Sequence, residues 1–222
     1  GFAPDAAVSA TETRSLGTDG MRFILRTPAG EAAVETPALG MLGIHNALAA
    51  AAVGHVAGFG AEVIAEALAN GFNAPHRTTV VDAGAWRILD DSYNASPDSM
   101  IAVLDLLATL PGRSVAVLGE MLELGPGGPE GHRRVGRHAA GVAELLIAVG
   151  AGGAQIAEGA RRTARADVEI LEAPDVDAAL DLLGPRLRAG DTILIKGSRA
   201  VELDRLILPL EALGRAAEAA SS

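Results

Sequence analysis

Three stretches of this chain place acidic, basic and hydroxyl side chains directly after short apolar runs. In the first, Asp90-Asp91-Ser92-Tyr93-Asn94-Ala95-Ser96-Pro97-Asp98-Ser99-Met100, two carboxylates, a tyrosine and an asparagine precede a helix that Ser96 caps and Pro97 opens. Carboxylate oxygens accept hydrogen bonds from ribose hydroxyls or hold a metal-bound water, and a helix N-terminus favours an anion. The same residues also suit a capped turn with solvated aspartates. The second stretch, Leu118-Gly119-Glu120-Met121-Leu122-Glu123-Leu124-Gly125, runs into a Pro/Gly-rich segment that ends at His132. Its glycines permit positive φ or close backbone approach. Glu123 can attract a substrate ammonium or stand solvated in a loop, and His132 reads either as a functional group or as an ordinary helix-start histidine. The third, Ile195-Lys196-Gly197-Ser198-Arg199, holds the only lysine of the sequence. Its ammonium, hydroxyl and guanidinium together suit a carboxylate or phosphate, or they simply start the last helix.

Two further motifs flank an expected domain boundary. Gly43-Ile44-His45-Asn46 leads into an alanine-rich helix, where Asn46 can present its amide to a purine edge and His45 alone reads as structural. Pro75-His76-Arg77 can place a guanidinium over a phosphate across a hinge. Lys196-Gly197-Ser198 lacks the glycine frame of a phosphate loop, no Gly-x-Gly-x-x-Gly stands between a strand and a helix, and Ser92 and Ser198 lack Gly-x-Ser-x-Gly surroundings. Neither the β- and γ-phosphate machinery of an NTPase nor a serine-hydrolase elbow is therefore written in this chain.

The elements that must position these groups follow from apolar spacing. Met21 to Arg26 and Ala32 to Thr36 read as a hairpin about Thr27-Pro28-Ala29-Gly30-Glu31. A helix is predicted from about Asn46, a second over Ala61 to Ala69, and a hinge over Asn70 to Pro75. Beyond it, strand-length apolar runs at Trp86–Leu89, Ser114–Leu118, Leu145–Val149, Val168–Leu171 and Thr192–Ile195 alternate with helical segments. These follow at Pro97, Pro129–Ala140, Ala151–Arg161, Val176–Leu187 and from about Val201. Strands that do not alternate polar and apolar imply a largely parallel sheet covered on both faces, so an α/β, Rossmann-like domain is expected over residues 75–222. All three chemical stretches then fall at strand exits, where open α/β sheets bind ligands. Residues 1–74 supply a hairpin and helices but few other strands, and are read as the last portion of a larger domain.

Composition narrows the classes. With 28 acidic and 18 basic residues among 222, a net charge of −10 and a pI near 4.9, the chain is not expected to carry a nucleic-acid footprint or to lie on an anionic membrane. Hydrophobic residues at 49% suffice for one sizeable core or two modest ones. The lack of cysteine excludes disulfides, thiolate nucleophiles and cysteine-ligated metals. His132 and His138, six apart, do not suggest a zinc site. No basic region precedes an apolar core at the N-terminus and no run reaches the roughly 18 apolar residues of a membrane span, so a cytoplasmic protein without membrane insertion is expected.

Taken together, these motifs resemble the Mur ligase family. The resemblance rests on Gly43-x-His45-Asn46, Pro75-x-Arg77, the Asp90–Met100 stretch, Leu118–Gly125 and Lys196-Gly197-Ser198-Arg199, in this order and spacing. It spans essentially the whole chain and points to the branch that joins D-alanyl-D-alanine to UDP-N-acetylmuramoyl-tripeptide. It implies that residues 1–74 are the C-terminal portion of a central ATPase domain and 75–222 the mobile C-terminal domain, with further N-terminal domains as partners. It also implies ATP and Mg²⁺, the main magnesium ligands and phosphate loop lying upstream, and an acyl-phosphate reaction in peptidoglycan synthesis. Asn46 would lie at the adenine, Arg77 near the phosphates and Asp91 at the ribose; Asn94, Glu123, Lys196, Ser198 and Arg199 would serve the incoming dipeptide or domain closure. No complete catalytic set is expected in this chain alone. It departs from the family pattern at Ala49, often a second asparagine, and at His76, Glu120 and Ser96, commonly Gly, Asp and Asn. A related folate or peptide amino-acid ligase and a non-catalytic, nucleotide-responsive interaction domain are the alternatives.

Overall fold

A computed structural model describes residues 1–3, 5–71 and 74–221. Its contacts divide the chain into two compact units, Gly1–Ala74 and Pro75–Ser222. Of the expected hinge, Phe72 and Asn73 lie outside the described residues.

The first unit has an antiparallel sheet of β1 (Ser9–Ser15), β2 (Met21–Thr27) and β3 (Gly30–Thr36), in that order, with helices α1 (Gly40–Val56) and α2 (Ala61–Asn70). Met21, Phe23 and Leu25 alternate along β2 and join Val34, Ile44, Leu48, Ala51 and Ile64 in one buried cluster. The unit thus adds β1 to the expected hairpin and helices, and these elements share one core. Strand β1 escaped the sequence because Ser-Ala-Thr-Glu-Thr-Arg-Ser is polar and its register shifts between Thr11 and Arg14. Helix α1 begins at Gly40, not near Asn46: Leu39 is extended and Gly40 takes φ +64, open to a residue without Cβ. His45 and Asn46 therefore sit inside the helix.

The second unit is a six-stranded sheet of β4 (Thr79–Asp82), β5 (Arg87–Asp90), β6 (Ser114–Gly119), β7 (Leu145–Val149), β8 (Glu169–Ala173) and β9 (Thr192–Lys196). Its helices are α3 (Pro97–Leu107), α4 (Gly128–Val142), α5 (Gly153–Arg161), α6 (Val176–Leu183) and α7 (Ile207–Ser221). The order is β4-β5-β9-β6-β7-β8, with only β4 antiparallel to its neighbour. This is the expected α/β, mostly parallel architecture. Every residue of β6, β7 and β9 is buried, which explains their continuous apolar runs. Ile88, Val117, Ile147 and Ile195 pack with Val176, Leu183 and Leu210 in one cluster, while Leu89, Leu118, Leu146 and Leu194, at the alternate positions, are buried too. Each such side chain contributes roughly 1.5–3 kcal/mol relative to exposure.

Strand β4 is a short, half-buried edge that sequence reasoning missed. The last helix begins at Ile207 instead of about Val201, because Glu202 takes a left-handed φ of 57° between two 3₁₀ turns, Arg199–Val201 and Leu203–Leu206. At the N-terminal ends of β6 and β9, the Arg113 guanidinium donates from Nε and Nη2 to the two carboxylate oxygens of buried Asp191, at 3.0 and 2.7 Å. That hydrogen-bonded carboxylate holds Arg113 above its ordinary pKa, against the effect of burial. Among the described residues no helix is long and apolar enough to cross a membrane.

Candidate functional site

Strands β5, β9 and β6 lie side by side and end together. Asp90 is opposite Ile195, and Lys196 is opposite Leu118. The Asp91 N–H donates to Ile195 O at 3.0 Å and extends the ladder by one residue. The three chemical stretches thus leave the sheet at one edge.

Beneath that edge the charged groups are spent on one another. Asp90 accepts from the N–H and hydroxyl of Ser92 at 3.1 and 2.6 Å through Oδ1, and its Oδ2 lies 2.7 Å from His76 Nδ1. Asp91 Oδ1 accepts from the Thr78 N–H and hydroxyl at 2.8 and 3.0 Å. Lys196, only 2% exposed, donates from Nζ to Asp91 Oδ2 at 2.5 Å and to the Asn94 carbonyl at 2.8 Å. A carboxylate has about four acceptor positions; three on Asp91 are filled, which leaves one on Oδ2. Lys196 therefore pairs with Asp91 and holds the Asn94 carbonyl of the loop that follows it.

The β6 exit is pinned in the same way. Ser198 donates its N–H to Glu120 O at 3.0 Å, and its hydroxyl oxygen accepts from the Leu122 N–H at 2.9 Å. Glu120 Oε2 accepts from the Gly152 N–H at 2.8 Å. Buried His132 accepts from the Met121 N–H at Nε2, 2.8 Å, so its proton is assigned to Nδ1, which donates to Gly128 O at 2.7 Å. Of the two readings of His132, the structural one fits this geometry. A Cβ on Gly152 would come within 2.5 Å of both Glu120 Cβ and His132 Nε2, so glycine is required there.

Above this floor stands an exposed rim. Arg77 lies over the Tyr93 ring with its guanidinium carbon 4.2 Å from the centroid, and Arg199 approaches the same ring at 5.4 Å. The Tyr93 N–H donates to His76 O at 3.1 Å. The Asn94 side-chain oxygen accepts from the Ala95 N–H at 2.8 Å, which turns its amide donors toward other partners. Glu123 is exposed with φ +64. Ser96 and Ser99 form a reciprocal capping box at the start of α3. Asn46 belongs to the first unit and is exposed on α1; its neighbour His45 bonds Met41 O at 3.0 Å and meets the edge of Phe2.

The sequence thus named Arg77, Asp91, Asn94, Lys196, Ser198 and Arg199, and the fold brings all six to one edge. It missed Thr78 and the His76–Asp90 pairing, which arise because β4 folds back on β5, a long-range event without a local motif. Tyr93, the sole tyrosine, was named only as part of its stretch.

Residues 76–199 match the family model described as "Mur ligase, glutamate ligase domain". This chain belongs to the Mur ligase family. It is 40% identical over 207 residues to the UDP-N-acetylmuramoyl-tripeptide--D-alanyl-D-alanine ligase of Mycobacterium leprae, a match covering 83% of this chain and 40% of that relative. A MurF crystal structure from Acinetobacter baumannii aligns with a TM-score of 0.84 and 28% identity over 95% of this chain and 46% of that one. The MurF ligase of Thermotoga maritima, solved in complex with ADP, shares the fold at a TM-score of 0.79 and 21% identity, over 96% of this chain and 48% of that one. The chain spans less than half the length of each. His76 holds a left-handed φ of 59°, which costs a residue with a Cβ more than glycine; its Nδ1 lies 2.7 Å from Asp90 Oδ2 and its carbonyl accepts from the Tyr93 N–H.

Proposed function

We propose that this chain supplies the nucleotide- and dipeptide-facing part of an ATP-dependent ligase that joins D-alanyl-D-alanine to UDP-N-acetylmuramoyl-tripeptide in peptidoglycan synthesis. The observation that carries the reading is the convergence of the β5, β9 and β6 exits, with a free acceptor on Asp91 beside the exposed Arg77, Tyr93 and Asn94. The name borne by the Mycobacterium leprae relative supports it.

In this reading ATP, as a substrate, activates the tripeptide carboxylate as an acyl phosphate, which the dipeptide amine attacks. The chain's residues do the positioning that such phosphoryl chemistry depends on. Asp91 accepts a ribose hydroxyl at its open position, and Arg77 meets phosphate oxygens. Asn94 offers amide donors to the dipeptide, and exposed Glu123 attracts its ammonium. Lys196 and Ser198 act from beneath by fixing the 91–94 and 120–122 loops. Asn46, on the first unit, serves the adenine. Mg²⁺ would accompany the nucleotide, and the family resemblance puts its main ligands upstream of this chain. A cytoplasmic location accords with the reaction's soluble nucleotide substrates.

The test replaces the matching segment of the Mycobacterium leprae relative with this chain. MgATP-dependent phosphate release is then measured with UDP-N-acetylmuramoyl-tripeptide and D-alanyl-D-alanine. Release that requires the dipeptide supports the proposal. Release with single amino acids in its place points to another amino-acid ligase, and a folded chimera that binds ATP without release points to a non-catalytic domain.

A further inference from the structure

Asp90 is a buried carboxylate to which the reading above gives no task, and His76 is the imidazole that it holds. The Asp90 side chain is 5% exposed, and the Ser92 N–H and hydroxyl fix it at Oδ1, so its Oδ2 faces His76 Nδ1 at 2.7 Å in one orientation. In the neutral ring such a carboxylate assigns the proton to Nδ1, which donates, and leaves Nε2 as an acceptor. Nε2 has no partner among the described residues, and the His76 side chain is 35% exposed. Other histidines of this unit are built differently. His132 has both ring nitrogens bonded to backbone groups, and His138 meets Asp105, a carboxylate 63% exposed and free to swing. His76 also keeps a left-handed φ of 59°, a conformation that disfavours any residue with a Cβ and that recurs at functional sites.

We infer that His76 is the proton acceptor for the incoming amine, with Asp90 as the group that orients it; this rests on the ligase reading and adds a catalytic residue to it. His76 is tied at two points to the segment that leads to Asn94, through its ring to Asp90 and through its carbonyl to the Tyr93 N–H. Lys196, the other nitrogen base of this edge, is buried and bonded to Asp91 and Asn94. In the step proposed, the dipeptide's ammonium gives one proton to Nε2, and the freed lone pair attacks the acyl-phosphate carbon. The C–N bond forms, the C–O bond to phosphate breaks, and phosphate leaves with the bonding pair. The remaining excess proton on the nitrogen passes to the departing phosphate, and the imidazolium returns its own to water. Asp90 does no proton transfer; it keeps the ring in the reactive tautomer and orientation.

The test puts His76→Gly into the chimera described above, a change that a backbone at φ 59° accepts without strain. The kcat of dipeptide-dependent phosphate release is expected to fall about 10²-fold, the lower end for a lost general base, with KM for D-alanyl-D-alanine within about twofold. Imidazole added to the buffer should restore part of the rate. The ring 1,2,4-triazole, alike in shape but a far weaker base, should not. Rescue by both alike or by neither would overturn the role, since a space-filling ring is indifferent to basicity. A second readout needs no turnover: ¹⁵N signals of the imidazole in the 222-residue chain should show the neutral ring protonated at Nδ1, and in Asp90→Asn at Nε2. A wild-type ring protonated at Nε2 would remove the acceptor and the proposal with it. A folded wild-type chimera without release rejects the ligase reading together with this role, whereas wild-type release undiminished in His76→Gly overturns the role alone.

Discussion

At the N-terminal ends of β6 and β9, Arg113 and Asp191 meet in a two-pronged pair, and Asp191 accepts a third N–H from Arg188. At the C-terminal ends of β5 and β9, Lys196 and Asp91 meet in a second pair, its cation the more deeply buried of the two, whose carboxylate also accepts three donors. The surroundings separate them. Of the five described non-glycine residues with left-handed φ, four (His76, Thr78, Glu123 and Glu202) lie in the segments around the C-terminal exits. The exposed, unpartnered Arg77 and Arg199 stand among them. Such conformations cost roughly 1–3 kcal/mol each and persist where neighbouring contacts over-determine them, commonly at functional sites. One buried ion pair staples the sheet, and the other is a floor on which strained loops and free cations are mounted.

The comparison can be broken at either end. Arg113→Met leaves Asp191 buried without its cation and should cost about 3–5 kcal/mol. Urea unfolding should report that loss while the amide signals of Asp91, Tyr93 and Asn94 stay unchanged in the folded protein. Shifts there in parallel would show that the two ends are not independent. Gly152→Ala tests whether the β6 exit is as tightly packed as its contacts imply. The added methyl meets Glu120 and His132 and should cost about 1–3 kcal/mol as an overpacked site. Amide signals of Met121 and Leu122 should shift most, and an unperturbed exit loop would contradict the packing described.

The smallest effect is expected on the surface of α4. The Arg137 guanidinium, hydrogen-bonded to Glu130, holds that carboxyl below its ordinary value of 4.5. Since the folded value is the lower one, the pair's contribution is present above the ordinary carboxyl range and is lost as pH falls through the folded value. Glu130→Gln should therefore lower the urea midpoint slightly at neutral pH and not at all once the wild-type carboxyl is protonated. A larger difference in acid than at neutral pH would reverse the assigned sign.

Much of the second unit was legible because its strands are buried on both faces. Ser114–Leu118 and Leu145–Val149 are continuous apolar runs, and the structure places β6 and β7 within a residue of them. The elements that escaped are those with weak or misleading patterns. These are β1, polar and bulged; β4, four residues at an edge; the glycine-led start of α1; and the 3₁₀ turns around Glu202. The strand-exit residues were legible by type and place, but not by state. Nothing local distinguishes Lys196, buried and neutralised, from Arg199, three residues later and exposed. Their difference depends on Asp91 and Tyr93, which arrive from another strand.

That difference is tested most directly by urea unfolding of Lys196→Met and Arg199→Gln, followed through the fluorescence of Trp86. This is the chain's only tryptophan, buried in the second unit with its indole N–H donated to Leu210 O at 3.2 Å. Lys196→Met, which strands the Asp91 carboxylate, should lose about 3–5 kcal/mol. Arg199→Gln, a change at the exposed rim, should remain within about 0.5 kcal/mol of the wild type. Equal losses in the two variants, or a Lys196→Met protein as stable as the wild type, would contradict the division of this edge into a fixed floor and a free rim.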